Sequence, residues 1–268
     1  MAHKPKKSLG QNFLRDDTVI ADILHHAQLT KDDVVVEIGP GTGVLTEKLA
    51  AVAKRVIAVE IDRTLAAELE EKFSPHENVS IVADDILHAN IPELLKEYAA
   101  GEESYRVIAN IPYYITAPIV RLFLETPTPP TEMMLMVQKE VAERIVAEPG
   151  KMSLLTVSVQ YYADPAYLFT VPCKAFFPAP NVDSAVVRIV FRADAEENKD
   201  TKQFFSVVKA GFAAKRKTLT NNLTNGLHKS KKDVENVLAM CNIAPTARAQ
   251  ELSIAQWKKL AQLFSNAG

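Results

Sequence analysis

Cysteine is almost absent: Cys173 and Cys241 are the two among 268 residues. That excludes a disulfide framework or a thiolate metal site, and both are expected as reduced thiols. The six histidines show no ligand spacing, and neighbouring His25 and His26 point to different sides of a helix, so no metal is expected. No apolar run approaches the roughly 20 residues that span a membrane. The start, with Lys4, Lys6 and Lys7, is basic but runs into Gly10-Gln11-Asn12 with no apolar segment behind it, so a cytoplasmic protein is expected. No internal repeat is found.

With 47% hydrophobic residues, the chain can bury a full α/β core and still supply a smaller second unit. The net charge of −2 conceals a partition. Residues 201–268 carry 11 Lys or Arg against 3 Asp or Glu, whereas residues 1–200 carry 20 against 30. Within that acidic body, residues 1–15 hold Lys4, Lys6, Lys7 and Arg15 and no acid. Two basic clusters on an otherwise acidic protein suggest a polyanionic partner gripped at selected places.

The stretch around which the rest is organised is 34–43, Val-Val-Val-Glu-Ile-Gly-Pro-Gly-Thr-Gly. Three valines and Ile38 predict a strand covered on both faces, and Leu45, Leu49 and Val52 mark the helix that follows. Glycine between strand and helix lets the backbone take positive φ and lets a ligand approach free N–H groups. The dinucleotide fingerprint would need a third glycine where Val44 stands, and no Lys-Ser or Lys-Thr follows for a P-loop. The spacing Glu37-x-Gly39-x-Gly41-x-Gly43 instead resembles the S-adenosylmethionine loop of class I methyltransferases.

Further strands are predicted at 55–59, 79–83, 105–109, 132–137, 154–162 and 185–191, making seven in a mostly parallel sheet. Residue Glu60 ends the second, 21 positions past Gly39, where an acid that accepts from ribose hydroxyls is expected. The third ends in Asp84 and Asp85, and Asp85 could accept from an adenine amine. The fourth ends in Asn110-Ile111-Pro112-Tyr113-Tyr114. Ligands of open parallel sheets bind at the carboxyl ends of strands, so Gly39, Glu60, Asp85 and Asn110 should share one rim.

The adenine amine is a poor nucleophile because its lone pair is delocalised into the ring. If the Asn110 oxygen and the Ile111 carbonyl both accept from it, the nitrogen is drawn toward tetrahedral geometry, with Pro112 fixing the backbone and Tyr113 stacking on the base. A sulfonium methyl is already activated, so positioning suffices without a catalytic His or Cys. Phe176, in the stiff loop Phe176–Ser184, is a candidate second wall for the base or a hydrophobic plug.

Helices are predicted at 17–27, 118–125 and 139–147. Residues 193–201 read as a linker between a catalytic domain at 1–200 and a basic helical domain at 201–268. In the latter, helices are predicted at 202–214, 217–225, 231–241 and 253–265, with Ser230 and Ser253 as N-caps. Lys215, Arg216 and Lys217 are its densest charge.

Residues 8–15, 37–43, Glu60, Asp84-Asp85, 110–114, 176–184 and 215–223 together resemble the ribosomal RNA adenine dimethyltransferases over nearly the whole chain. The resemblance is to the bacterial small-subunit branch. It implies a class I, Rossmann-like methyltransferase fold with a small C-terminal helical domain. It also implies S-adenosylmethionine-dependent N6,N6-dimethylation of two adjacent adenines in the 3′-terminal hairpin loop of 16S rRNA, by a monomer. Cofactor contacts are implied at Asn12, Leu14, Gly39, Glu60, Asp85 and Asn110, with Gly41 beside them. Asn181 departs from the lysine usual at its position, which bears on one RNA contact. Alternatives are the 23S rRNA methyltransferases of macrolide resistance and a ribosome-assembly factor without activity. The Leu-Gly-Gln-Asn-Phe-Leu arm and the Lys-Arg-Lys-Thr-Leu stretch favour the small-subunit branch.

Overall fold

The computed structural model describes Lys6 and residues 10–102, 104–192 and 201–266. The linker expected at 193–201 therefore lies, but for Thr201, outside the described residues, as do Lys4 and Lys7 of the basic start. The strands are β1 (Phe13–Leu14), β2 (Val34–Ile38), β3 (Arg55–Val59), β4 (Val79–Val82), β5 (Arg106–Asn110), β6 (Glu132–Gln138), β7 (Ala163–Val171), β8 (Phe176–Phe177) and β9 (Ser184–Phe191). The helices of the first part are α1 (Asp17–Ala27), α2 (Val44–Val52), α3 (Arg63–Phe73), α4 (Ile91–Tyr98), α5 (Thr116–Glu125) and α6 (Lys139–Ile145). Then come α7 (Leu154–Tyr162), α8 (Thr201–Gly211), α9 (Leu219–Leu227), α10 (Lys231–Met240) and α11 (Ile254–Asn266).

Seven strands form one sheet in the order β4-β3-β2-β5-β6-β9-β7. Neighbours from β4 through β6 are parallel, and β9 runs antiparallel to β6. Strand β2 sits near the middle with all five residues buried, as a strand covered by helices on both faces must be. Its parallel neighbours β3 and β5 bring Gly39, Glu60 and Asn110 to one edge of the sheet. A separate two-stranded ribbon joins β1 to β8, pairing Phe13 with Phe177 and Leu14 with Phe176. The N-terminal arm is thereby tied into the body.

The chain divides into two compact units, residues 1–142 with 164–191 and residues 143–163 with 192–268. The second unit has its own core, with Val157, Tyr161, Phe204, Val208, Leu223, Leu238 and Trp257 among its buried residues. Its Asn222 amide donates to the carbonyls of Gly211 and Ala214, closing the α8–α9 turn. Ser230 and Ser253 accept from the amides of Asp233 and Gln256, so both cap helices as expected.

Residues 154–162, expected as a strand, are helix α7, and the strand of that region is β7. The run Leu-Leu-Thr-Val-Ser-Val is rich in β-branched residues, but Ser153 and Thr156 form a reciprocal capping box that starts a helix. Residues Val157 and Tyr161 then fall four apart on the buried face. The C-terminal unit also takes residues 143–163 and begins again at 192, whereas the sequence suggested a single boundary at 201.

Candidate active site

The loop after β2 holds Gly39, Gly41 and Gly43 at φ of +65°, +59° and +75°, values that a side chain tolerates poorly. Two of these glycines are also sterically required. A Cβ on Gly41 would lie 3.0 Å from the Phe13 ring, and one on Gly43 would lie 2.7 Å from Phe73 and 2.8 Å from Leu69. Helix α3 braces the loop as well, because Lys72 donates to the Thr42 carbonyl at 3.3 Å. A cavity opens above the loop. Its lining includes Asn12, Leu14, Glu37, Gly39, Gly41, Glu60, Ile61 and Asn110.

The acids of this cavity sit in an environment that resists their charge. The Glu37 carboxyl is 2% exposed, and burial pushes its pKa up to about 8, with nearby Thr46 and Lys72 opposing the rise and Glu60 adding to it. Glu37 Oε2 has no hydrogen-bond partner, and the Thr46 hydroxyl, though close, does not meet hydrogen-bond geometry either. An orphaned buried carboxylate oxygen lining a cavity is a place for a cationic or proton-bearing ligand group. Burial also raises Glu60, while N–H groups of Asp62 and Gly41 pull it back. The Asp62 N–H donates to Glu60 Oε1 at 2.9 Å and fixes that carboxylate at the end of β3. The donor set suits S-adenosylmethionine: an acid for ribose hydroxyls, a second acid for positive charge, and a loop in which a would-be Cβ on Gly39 would meet nothing beyond its chain neighbours nearer than the Asn110 carbonyl at 4.0 Å.

Across the cavity, Asn110 ends β5 and its side-chain amide donates to the Asn12 carbonyl at 3.3 Å, which leaves Oδ1 available to another donor. The Ile111 N–H donates to Met136 of β6 at 3.1 Å, anchoring the strand end. Pro112 begins a tight turn over Tyr113–Ile115. The Tyr113 hydroxyl is 2.8 Å from that of Ser184, and burial raises its pKa.

Not every expected residue reaches the cavity. The Asp85 carboxylate accepts from the Leu87 N–H at 3.0 Å and lies 3.1 Å from His88, so it organises its own turn and does not line the cavity. Phe176 is 5% exposed and packed in the core with Leu14, while its neighbour Phe177 is 48% exposed beneath the Arg15 guanidinium at 4.1 Å. Successive strand residues face opposite ways, and the ribbon turns Phe176 inward. Lys215, Arg216 and Lys217 are exposed at the α8–α9 turn of the C-terminal unit. Sequence reasoning passed over Gln11, Phe13 and Ile61 of the lining and also Asp62. The signal for Asp62 was its place two residues after Glu60, ahead of a helix. Among the described residues, no group of three His, Cys, Asp or Glu could hold a metal ion, and no helix is long and apolar enough to cross a membrane.

The model of the ribosomal RNA adenine dimethylase family matches residues 2–266. The chain belongs to that family. A small-subunit methyltransferase A from Lysinibacillus sphaericus is 44% identical over 262 residues, covering 96% of this chain and 89% of its own. The enzyme of that name from Geobacillus kaustophilus is 44% identical over 266 residues, covering 97% and 91%. Among solved structures, the 23S rRNA methyltransferase ErmE superposes with a TM-score of 0.76 at 33% identity over 94% of this chain and 98% of that one. A dimethyladenosine transferase from Plasmodium falciparum gives 0.81 at 25% identity over 95% and 98%. The dimethylase is therefore a class I methyltransferase that modifies ribosomal RNA adenines with S-adenosylmethionine.

Proposed function

We propose that this dimethylase converts two adjacent adenosines in the 3′-terminal hairpin loop of 16S rRNA to N6,N6-dimethyladenosine, acting as a cytoplasmic monomer on the small ribosomal subunit or its precursor. The observation that carries this reading is that Glu60 and Asn110, from two strands flanking β2, open on one cavity with Gly39 between them. Bound S-adenosylmethionine supplies an activated methyl group.

The chain's own residues do the rest. Gly39 and Gly41 admit the ligand close to the backbone, Glu60 accepts from its ribose, and Asn12 and Leu14 close the near side. Half-exposed Ile61 offers an apolar face to the purine. Asn110 Oδ1 and the Ile111 carbonyl accept from the target amine, which localises its lone pair, while Pro112 and Tyr113 set and stack the base. An unpaired loop adenine costs little to splay into such a site. Asp85 shapes the turn at the rim. Phe176 supports the arm from behind Leu14. Lys215, Arg216 and Lys217 contact phosphates.

The test is labelled-methyl transfer to undermethylated 30S subunits, to 50S subunits and to naked RNA. Incorporation into 30S alone, at two adenines and up to four methyls, is the expected result; transfer to 50S would mean a 23S enzyme. The Asn110→Ala variant should bind S-adenosylhomocysteine and lose methyl transfer by at least about a hundredfold. Wild-type turnover in that variant would remove Asn110 from the chemistry.

A further inference from the structure

We propose that Asp62 is a positioning residue that fastens the N-terminal arm across the cofactor cavity, and through the arm holds the Asn110 amide in its orientation. The inference rests on the cavity being the S-adenosylmethionine site. Asp62 has a buried carboxylate, its side chain 2% exposed, and Lys6 Nζ reaches it at 2.7 Å. Gln11 Nε2 approaches its other oxygen at 3.4 Å. Beyond these contacts, Gly10 lies against Pro112 and the Tyr114 ring, the Asn12 carbonyl accepts from Asn110, and Phe13 covers Gly41. The arm is thus attached at the end of β3 through Asp62 and at the end of β5 through Asn110, with the cavity between.

Helix capping alone does not account for this aspartate. Asp62 Oδ1 does accept from the Thr64 N–H at 3.1 Å and so caps α3. Caps elsewhere among the described residues are served by Asp16, Asn90, Ser153, Thr218, Ser230 and Ser253. None of these caps is both a carboxylate and buried, the one other carboxylate, Asp16 of α1, being only partly buried. A buried carboxylate is costly unless a cation and hydrogen bonds satisfy it. Here a residue more than fifty positions away supplies the cation. Burial works to raise the Asp62 pKa, yet Lys6 and the amides of Leu65 and Thr64 hold it below its ordinary value. The carboxylate stays charged, so the arm is held by charge. Because the Asp62 N–H also orients Glu60, one residue organises both the ribose acid and the strand of chain that closes over it.

The variants that separate these roles are Asp62→Asn, which keeps a side-chain oxygen for the α3 cap, Lys6→Met, and Lys6→Arg. Affinity for S-adenosylhomocysteine is measured by calorimetry, and the arm is followed by deuterium uptake at residues 10–14. Asp62→Asn and Lys6→Met should each weaken binding about tenfold, and the double variant should be no weaker than either single. Lys6→Arg should restore affinity, and arm uptake should rise in the two weakened variants while the Tm stays within about 2 °C. At about 1 M salt the difference from wild type should narrow only in part, because the Asp62 end of the pair is buried. Wild-type affinity and arm uptake in both variants would overturn the proposal. So would weakening by Asp62→Asn without any effect of Lys6→Met, which would return Asp62 to a capping role. A wild-type protein that fails to bind S-adenosylhomocysteine would instead remove the cofactor reading beneath it.

Discussion

At the scale of single residues, Glu37 is a buried acid whose charge the fold resists. Its carboxyl titrates at about 8 in the fold against an ordinary value of 4.5. Between those two pH values the unfolded chain carries the charge and the folded one carries the proton. Stability from this residue is therefore intact below pH 4.5, falls by up to about 1.4 kcal/mol per pH unit as pH rises, and levels off above 8. Urea melts of Glu37→Gln should show that component removed, with the variant equal to wild type near pH 4.5 and more stable by as much as ~4 kcal/mol near pH 8. Opposite behaviour is expected for binding. A cationic ligand favours ionised Glu37, so S-adenosylmethionine should release a proton on binding at pH 7, and Glu37→Gln should bind it more weakly despite the sturdier fold. Calorimetry in buffers of different ionisation enthalpy measures the proton directly. The neighbouring Gly43 makes the complementary point about shape. Gly43→Ala should cost about 2 kcal/mol or more, since the added methyl meets Phe73 and Leu69 at a backbone φ of +75°.

Among whole elements, the sheet is pinned at the end away from the cavity by one buried acid. Glu132 of β6 receives Arg106 of β5 at 2.9 Å and Arg188 of β9 at 2.6 Å, and Arg106 also lies 3.6 Å from Asp33. Removing the acid leaves Arg106, the more buried of the two guanidinium groups, with only the longer Asp33 contact, and leaves Arg188 to solvent. Glu132→Ala should therefore cost about 3–5 kcal/mol, whereas Arg188→Ala, at a half-open position, should cost about 1. Equal losses in denaturant titrations would contradict the burial argument. The elements around this network were the legible ones. Buried parallel strands are short apolar runs bounded by turn residues, so β2, β3, β5 and β6 stand out in the sequence. Helix α7 does not, because its propensity points to strand and only the Ser153–Thr156 box and the Val157–Tyr161 spacing point the other way. The ribbon of β1 with β8 was illegible for another reason: two residues carry no period, and their pairing spans more than 150 positions. The same limit applies to the site. Gly39, Glu60 and Asn110 follow strands and could be placed from order alone, but which Phe faces out at 176–177, and where the Asp85 carboxylate turns, depend on a hydrogen bond or a register that composition does not encode.

For the molecule as a whole, charge is sorted so that the acidic body carries the cavity and the basic C-terminal unit carries exposed cations. Lys215, Arg216 and Lys217 stand together in the α8–α9 turn, with α9 starting immediately behind them under a Thr218 cap. The turn is held from beneath by Asn222, whose amide ties down the Gly211 and Ala214 carbonyls, so the three side chains project from a fixed base at little ordering cost. Each cation that meets a phosphate releases counterion, so the logarithm of the RNA association constant should fall with log salt by ~0.7–0.9 per contact. Replacing all three by Ala should shallow that slope by about 2–3 and weaken binding mainly at low salt. The affinity for S-adenosylhomocysteine should be unchanged, because the cofactor lining is drawn wholly from the other unit. Parallel salt plots for variant and wild type would show that RNA phosphates are met elsewhere, and would turn attention to Arg15 of the arm. A shallower slope with methylation lost only at physiological salt would show that the C-terminal unit supplies grip and the sheet edge supplies chemistry.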